Sequence, residues 1–249
     1  MTAVLADATW LDAPTGSLVL VPVGSMEQHG PHLPLDTDSV IADAVAHRCA
    51  DALARHEAEE PVVVAPVVTY GASGEHQAFR GTCSIGTAAL SMVTVELVRS
   101  IRTWADRVVL VNGHGGNVPA LRAAVSQLRA EGHAVAWASC ATRDTGGRGD
   151  AHAGFSETSL MMHLRPRAVR LKRAEPGNTA PIEALLPRLV VDGVAAVSGN
   201  GVLGDPTGAS AAEGARLLGT MAADVTRSIE SWQPDGTGRL RLPAAGPRE

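Results

Sequence analysis

Short apolar runs alternate with stretches of helical spacing along this chain. The run SLVLVPVG (17–24) is continuous, rich in β-branched side chains and closed by glycine, which predicts a buried strand. From Asp38 to His56 the apolar side chains fall at 40, 41, 44, 45, 49, 52 and 53, a helical spacing with Asp38 or Ser39 as N-cap. PVVVAPVV (61–68) reads as a second strand whose prolines favour a sheet edge or a bulge. Residues 87–105 return to the helical period through Leu90, Val93, Leu97, Val98 and Ile101. RVVLVNG (107–113) is a third strand, a helix follows from about Val118 to Ala130, and HAVAWASCA (133–141) is a fourth strand. A Gly-rich loop, 144–154, precedes a short helix near 156–164. Residues 177–208 are so rich in Gly and Pro that no element is assigned to them. A last amphipathic helix runs from about Ala209 to Trp232, and the tail 233–249 reads as loosely ordered.

Strands and helices alternating at intervals that suit βαβ crossovers imply an α/β fold, with a mainly parallel central sheet and helices on both faces. With no internal repeat and no dividing linker, residues 1–249 read as one domain with a core from about 17 to 232. At 249 residues, 45% hydrophobic and 19% charged, the chain can bury a sizeable core. A net charge of −5 leaves no basic footprint and 3% aromatic residues offer few stacking platforms, so no nucleic-acid partner is expected. The apolar runs are too short for a bilayer, and no charged-then-apolar leader opens the chain, so a cytoplasmic protein without a membrane partner is expected. Cys49, Cys83 and Cys140 are far apart and odd in number. That argues against a disulfide framework or a thiolate zinc site, and they read as small buried apolar side chains.

In an open α/β sheet, ligands bind beyond the carboxyl ends of the strands. The ligand-type residues fall there. The first strand runs into Glu27, His29, His32, Asp36 and Asp38, and the second into Glu75 and His76. The third runs into Asn112, His114 and Asn117, and the fourth into Asp144, Asp150, His152 and Glu157. His47, His56 and His163 lie within helical patterns and read as background. Glu27 and His29 are two apart, so an extended segment points them the same way, and Asp38 can face back from the start of the next helix. Histidine and carboxylate without cysteine suit Zn, Fe(II) or Mn. NGHGGN (112–117) fails the G-x-G-x-x-G pattern at Val118 and no GK[ST] follows, so its glycines are read as letting the backbone pass close to a metal centre.

VGSMEQHGPHLPLDTDS, NGHGGN, HAGFSETS and GVLGDPTGASAAEG, in that order, resemble the creatininase (creatinine amidohydrolase) family over residues 17 to 230. The resemblance implies a three-layer αβα fold, a two-metal hydrolytic centre and a ring-like homo-oligomer, often a hexamer. It assigns Glu27, Asp38 and His114 to one metal, and His29, Asp38 and Glu157 to the other, with Asp38 bridging. It makes His152 the catalytic histidine. Two divalent cations, three carboxylates and one hydroxide sum to zero charge, which a partly buried site favours. Where creatininase has tyrosine and a metal-binding glutamate, this chain has Gly115 and Gly116. The first metal is therefore expected to lose a ligand, and the mouth to widen enough for an extended chain. The tryptophans that line the creatininase pocket are missing from the loop 144–154, near which Arg143, Arg148 and Asp150 stand instead. Creatinine is thus a poor fit. Within the family the chain looks most like the peptidase branch that releases a modified C-terminal dipeptide from the mycofactocin precursor peptide.

The expected reaction is metal-assisted hydrolysis of an amide, with His152 protonating the leaving nitrogen and Arg148, Glu75 and His76 as substrate contacts. Other family amidohydrolases, acting on creatinine or on a formamide of flavin and deazaflavin synthesis, remain alternatives, as does a non-enzymatic metal-binding scaffold. A serine hydrolase is disfavoured because G-x-S-x-G is absent. The roles of His32, Glu75 and His76 stay open at this level, and Asp205 is read as an N-cap of the last helix.

Overall fold

A computed structural model of the chain describes residues 3–55, 60–141 and 150–243. Five strands form one sheet: β1 (Ala3–Val4), β2 (Leu18–Val23), β3 (Val62–Val64), β4 (Arg107–Asn112) and β5 (Val135–Ser139). Their order is β1-β3-β2-β4-β5 and every pairing is parallel. The helices are α1 (Thr37–Arg55), α2 (Gly86–Ile101), α3 (Val118–Ala130), α4 (Phe155–Leu164), α5 (Ile182–Asp192) and α6 (Ala211–Ser231). Among the described residues no helix is long and apolar enough to cross a membrane.

Alternation along the strands builds two cores. Leu18, Leu20, Val109, Val111, Ala136 and Ala138 face one side, where residues of α1, α4 and α6 close over them. Val19, Val21, Val23, Val108, Leu110 and Val135 face the other, under α2 and α3. Burial on both faces explains why β2 reads as a continuous apolar run rather than an alternating one.

Several expectations change. β3 is not an edge strand, because the two-residue β1 lies outside it; its prolines, Pro61 and Pro66, fall outside its three residues. Pro22 sits inside the central strand β2. Its carbonyl accepts from Val68 on the side where β3 has already ended, so the missing N–H breaks no ladder bond. The stretch 177–208 contains α5, with Pro187 inside it. Ser210 caps α6, accepting from the Glu213 amide at 3.2 Å. Asp205 instead accepts from the Thr207 amide at 2.8 Å and closes a turn. The described part of the tail is held: Trp137 donates to the Gly238 carbonyl, Leu240 donates back to Trp137, and Leu240 is buried.

The crossovers diverge. β2 leads through α1 on one face to β3, whereas β4 leads through α3 on the other face to β5. The carboxyl ends of neighbours β2 and β4 therefore open a crevice at a switch point.

Candidate metal centre

The loop leaving β2 fills this crevice. Glu27 donates its amide to the Leu35 carbonyl at 3.0 Å, and Gly30, at φ +63°, turns the chain back towards α1. α1 starts at Thr37, so Asp38 lies in its first turn rather than capping it, and its carboxylate is free to face Glu27 and His29. Asn117 stitches three loops together. Its amide nitrogen donates to the Gly24 carbonyl at 2.9 Å and to Asn112 Oδ1 at 3.1 Å, and its Oδ1 accepts from the Ala72 amide at 2.8 Å. The loops after β2, β3 and β4 are thereby fixed to one another.

These loops bring the expected residues together. His29 Nε2 lies 3.1 Å from Asp38 Oδ1 and 3.9 Å from Glu157 Oε2. His114 turns Nδ1 to Asp38 Oδ2 at 3.3 Å and Nε2 to Glu27 Oε2 at 3.1 Å. His76 Nε2 and His152 Nδ1 stand 3.3 and 3.7 Å from Glu27 Oε1. Glu75 Oε1 is 3.5 Å from His114 Nε2. Ligating atoms of Glu27, His29 and Asp38, of His29, His152 and Glu157, and of Glu27, His76 and His152 each lie within 4.8 Å of one another. Asp38, His114, His152 and Glu157 also line a cavity of about 240 Å³ that continues to Ile41, Leu160 and Met221. Arg148 and Asp144 lie outside the described residues.

The donor set fits a cation. Both carboxylate oxygens of Glu27 and Oδ2 of Asp38 are buried without a hydrogen-bond partner among the described residues, although imidazole nitrogens approach them. Such groups are costly to bury unless something positive neutralises them. Burial and the Asp38 charge push Glu27 up to about 7. Burial likewise lifts Glu157 to about 7, opposed by His29. Against burial, Asp38 and Glu157 hold His29 up at about 10. Glu27, Glu75 and Asp38 hold His114 up at about 9, also against burial. The carboxylates thus draw protons onto whatever base is near, which is what an anionic cation socket does when only protons can answer it.

Gln28 was not legible as a site residue, though it lies between Glu27 and His29. His152 Nε2 is 2.7 Å from the Gln28 backbone carbonyl and 3.0 Å from the Gln28 side-chain nitrogen; the shorter contact is to an oxygen that can only accept, which assigns the proton to Nε2 and leaves Nδ1 as the nitrogen facing Glu27. The Gln28 side-chain amide then spends its two hydrogens on His76 Nδ1 at 2.9 Å and the Gly201 carbonyl at 3.0 Å. Burial and the neighbouring His29 and His76 push His152 well below its ordinary range. His32 faces away, bonded to Thr158 Oγ1 at 2.8 Å. His47 pairs within α1 with Asp43, and His56 lies outside the described residues. All three cysteines are free, and Cys83 is exposed rather than buried.

The glycines of NGHGGN differ in their surroundings. A Cβ on Gly115 would meet nothing, as a widened mouth requires. A Cβ on Gly116 would run into Glu75 Oε1, His114 Nε2 and the Ala72 carbonyl, so that space is filled.

Comparison with known proteins follows the same lines. The mycofactocin precursor peptide peptidase of Mycolicibacterium smegmatis is 53% identical over 223 residues, covering 90% of this chain and 88% of that protein. The Mycobacterium tuberculosis protein of the same name is 51% identical over 240 residues, covering 95% and 94%. A crystal structure of creatinine amidohydrolase (creatininase) superposes with a TM-score of 0.76 at 27% identity, over 94% of this chain and 99% of that one. Similar creatininase structures are described as a Zn–Zn type and as a Mn form. A family model described as creatininase, creatinine amidohydrolase, matches residues 6–229, and with these likenesses it establishes that the chain belongs to the creatininase family.

Proposed function

We propose that this chain is a metal-dependent hydrolase of amide C–N bonds that releases the modified C-terminal dipeptide from the mycofactocin precursor peptide. The names of its relatives support the substrate. The observation that carries the chemistry is the group of buried carboxylate oxygens on Glu27 and Asp38 that have no hydrogen-bond partner among the described residues, with His114 facing Glu27 Oε2 and Asp38 Oδ2. In this reading two divalent ions, Zn, Fe(II) or Mn, are held per chain. Glu27, Asp38 and His114 hold one, His29, Asp38 and Glu157 hold the other, and Asp38 serves both. When bound, the pair supplies Lewis acidity toward the scissile carbonyl and makes water acidic enough to attack near neutral pH.

The chain's own groups do the rest. His152 rests neutral with Nδ1 unprotonated, because its Nε2–H is committed to the Gln28 carbonyl. Nδ1 takes the proton of the attacking water and delivers it to the leaving nitrogen. Gln28 keeps that ring from turning over. The open face at Gly115 leaves room for a peptide. His76 stands beside Glu27 as a substrate contact. The chain works as a single cytoplasmic domain, consistent with three unpaired cysteines. It assembles as a homo-oligomer, a hexamer in this reading. Helix α5 supports association, since it buries none of its residues while exposing Leu186, Val190 and Val191.

The test is elemental analysis of metal per chain, paired with mass spectrometry of the precursor peptide after incubation with the metal-loaded protein. About two metals and a released C-terminal dipeptide are expected. Metal with an intact peptide would sink the substrate assignment and keep the hydrolase.

A further inference from the structure

We propose that Glu75 is a direct carboxylate ligand of the metal nearer His114, and that Gly116 is glycine so that this carboxylate can enter. The inference rests on the metal-centre reading above and adds a ligand from the loop after β3.

Two carboxylates converge on one imidazole nitrogen. Glu27 Oε2 is 3.1 Å and Glu75 Oε1 is 3.5 Å from His114 Nε2. A hydrogen on that nitrogen can bond well to only one of them, and the Ala72 carbonyl competes for it at 3.2 Å. A cation beside the ring satisfies both carboxylates at once.

Glu75 also lacks another cationic partner. Among the described residues its one ion pair is to His114, and no lysine or arginine reaches it, although its side chain is only 23% exposed. The one imidazole that answers it is the same nitrogen that Glu27 Oε2 approaches, so two carboxylates share a single N–H where a cation could meet both.

The backbone holds Glu75 in place. It lies in the 3-10 turn Gly74–His76, where the His76 amide donates to the Ser73 carbonyl at 3.0 Å and the Ser73 amide donates to Ser84 Oγ at 2.9 Å. The Glu75 carbonyl packs where a Cβ on Gly193 would come within 2.9 Å. Opposite it, a Cβ on Gly116 would land on Glu75 Oε1 and His114 Nε2. Only a residue without a side chain leaves the carboxylate beside the imidazole. The ligand expected to be lost at 116 is thus replaced from 75.

The test is chelator-competition titration of the full-length apo-protein with Zn²⁺, with Co²⁺ absorption spectra as a second readout. Wild type is expected to show two binding constants. Glu75→Gln should weaken one of them by about ten- to a hundredfold, leave the other nearly unchanged, and alter the Co²⁺ spectrum. The weakened constant should be the one that His114→Ala also weakens, and combining the two variants should give less than the sum of their effects. Glu75→Asp keeps the charge but shortens the reach, so it should show the same loss at the same site, which serves if Glu75→Gln folds poorly. Wild-type constants and spectrum in both Glu75 variants, whether or not KM for the peptide rises, overturn the proposal and make Glu75 a substrate contact. A wild type that binds no metal overturns the metal-centre reading itself.

Discussion

His29 and His152 stand with ring centroids 4.3 Å apart, yet their surroundings push them in opposite directions. Carboxylates hold His29 up at about 10, whereas burial among other imidazoles pushes His152 down. The first suits a ligand and the second a proton carrier, and substitution separates them. His152→Ala should lower kcat by about a hundredfold or more while metal per chain stays at the wild-type level. His29→Ala should lose metal and activity together. Equal loss of metal in both variants would show that His152 is itself a ligand. The same groups predict how protons move when metal binds. At pH 7 the metal-free site carries protons on His29 and His114, and partly on Glu27 and Glu157 near 7. A metal ion must displace them, so binding releases protons and the apparent affinity falls as pH drops through 7. Above the His114 and His29 values, about 9 and 10, those protons are already gone and the release fades. Calorimetry of Zn²⁺ binding in two buffers of different ionisation enthalpy measures this, and heats independent of buffer at pH 7 would contradict it.

Elements with a strong period were legible in the chain. β2, β4, β5, α1 and α3 fall where their apolar spacing predicts, because two-sided burial and helical stripes leave plain patterns. β1 was not legible, because two residues carry no period; its existence depends on Val63 and Val64 lying alongside. α5 was hidden by Pro187 and by the surrounding glycines. The same division holds in the centre. Glu27, His29, Asp38 and His114 could be found from their place at strand ends. Glu75 and Asn117 were placed at strand ends by the same reading, but their partners, like the place of Gln28, depend on separate loops closing on one another, which spacing does not encode. Close approach between elements gives its own prediction. A Cβ on Gly214 in α6 would fall on the Ser159 carbonyl of α4, so Gly214→Ala should cost about 1–3 kcal/mol, read as a lower Tm. An unchanged Tm would mean that α6 can slide along α4.

For the whole molecule, the proposed metal centre predicts that the buried carboxylates at the meeting of the strand ends make stability depend on metal. Removing it should lower Tm, and adding Zn²⁺ back should raise it in a concentration-dependent way. A Tm indifferent to chelator would leave the carboxylates stabilised by protons alone. Assembly is tested on α5: Val190→Asp with Val191→Asp should reduce the mass seen by light scattering from oligomer to monomer, and an unchanged mass would put the contact elsewhere. The loops that carry the chemistry are nonetheless pinned by a group that takes no part in it. Asn117, through one side-chain amide, bonds three loops to one another, while residues proposed as metal ligands, Glu27, His29, Glu75 and His114, project from them. Such a frame works as a socket with exchangeable pins. A protein engineer could move a carboxylate from one loop to another, or alter the mouth at Gly115, and keep the joint intact. Substituting Asn117 would loosen every pin at once.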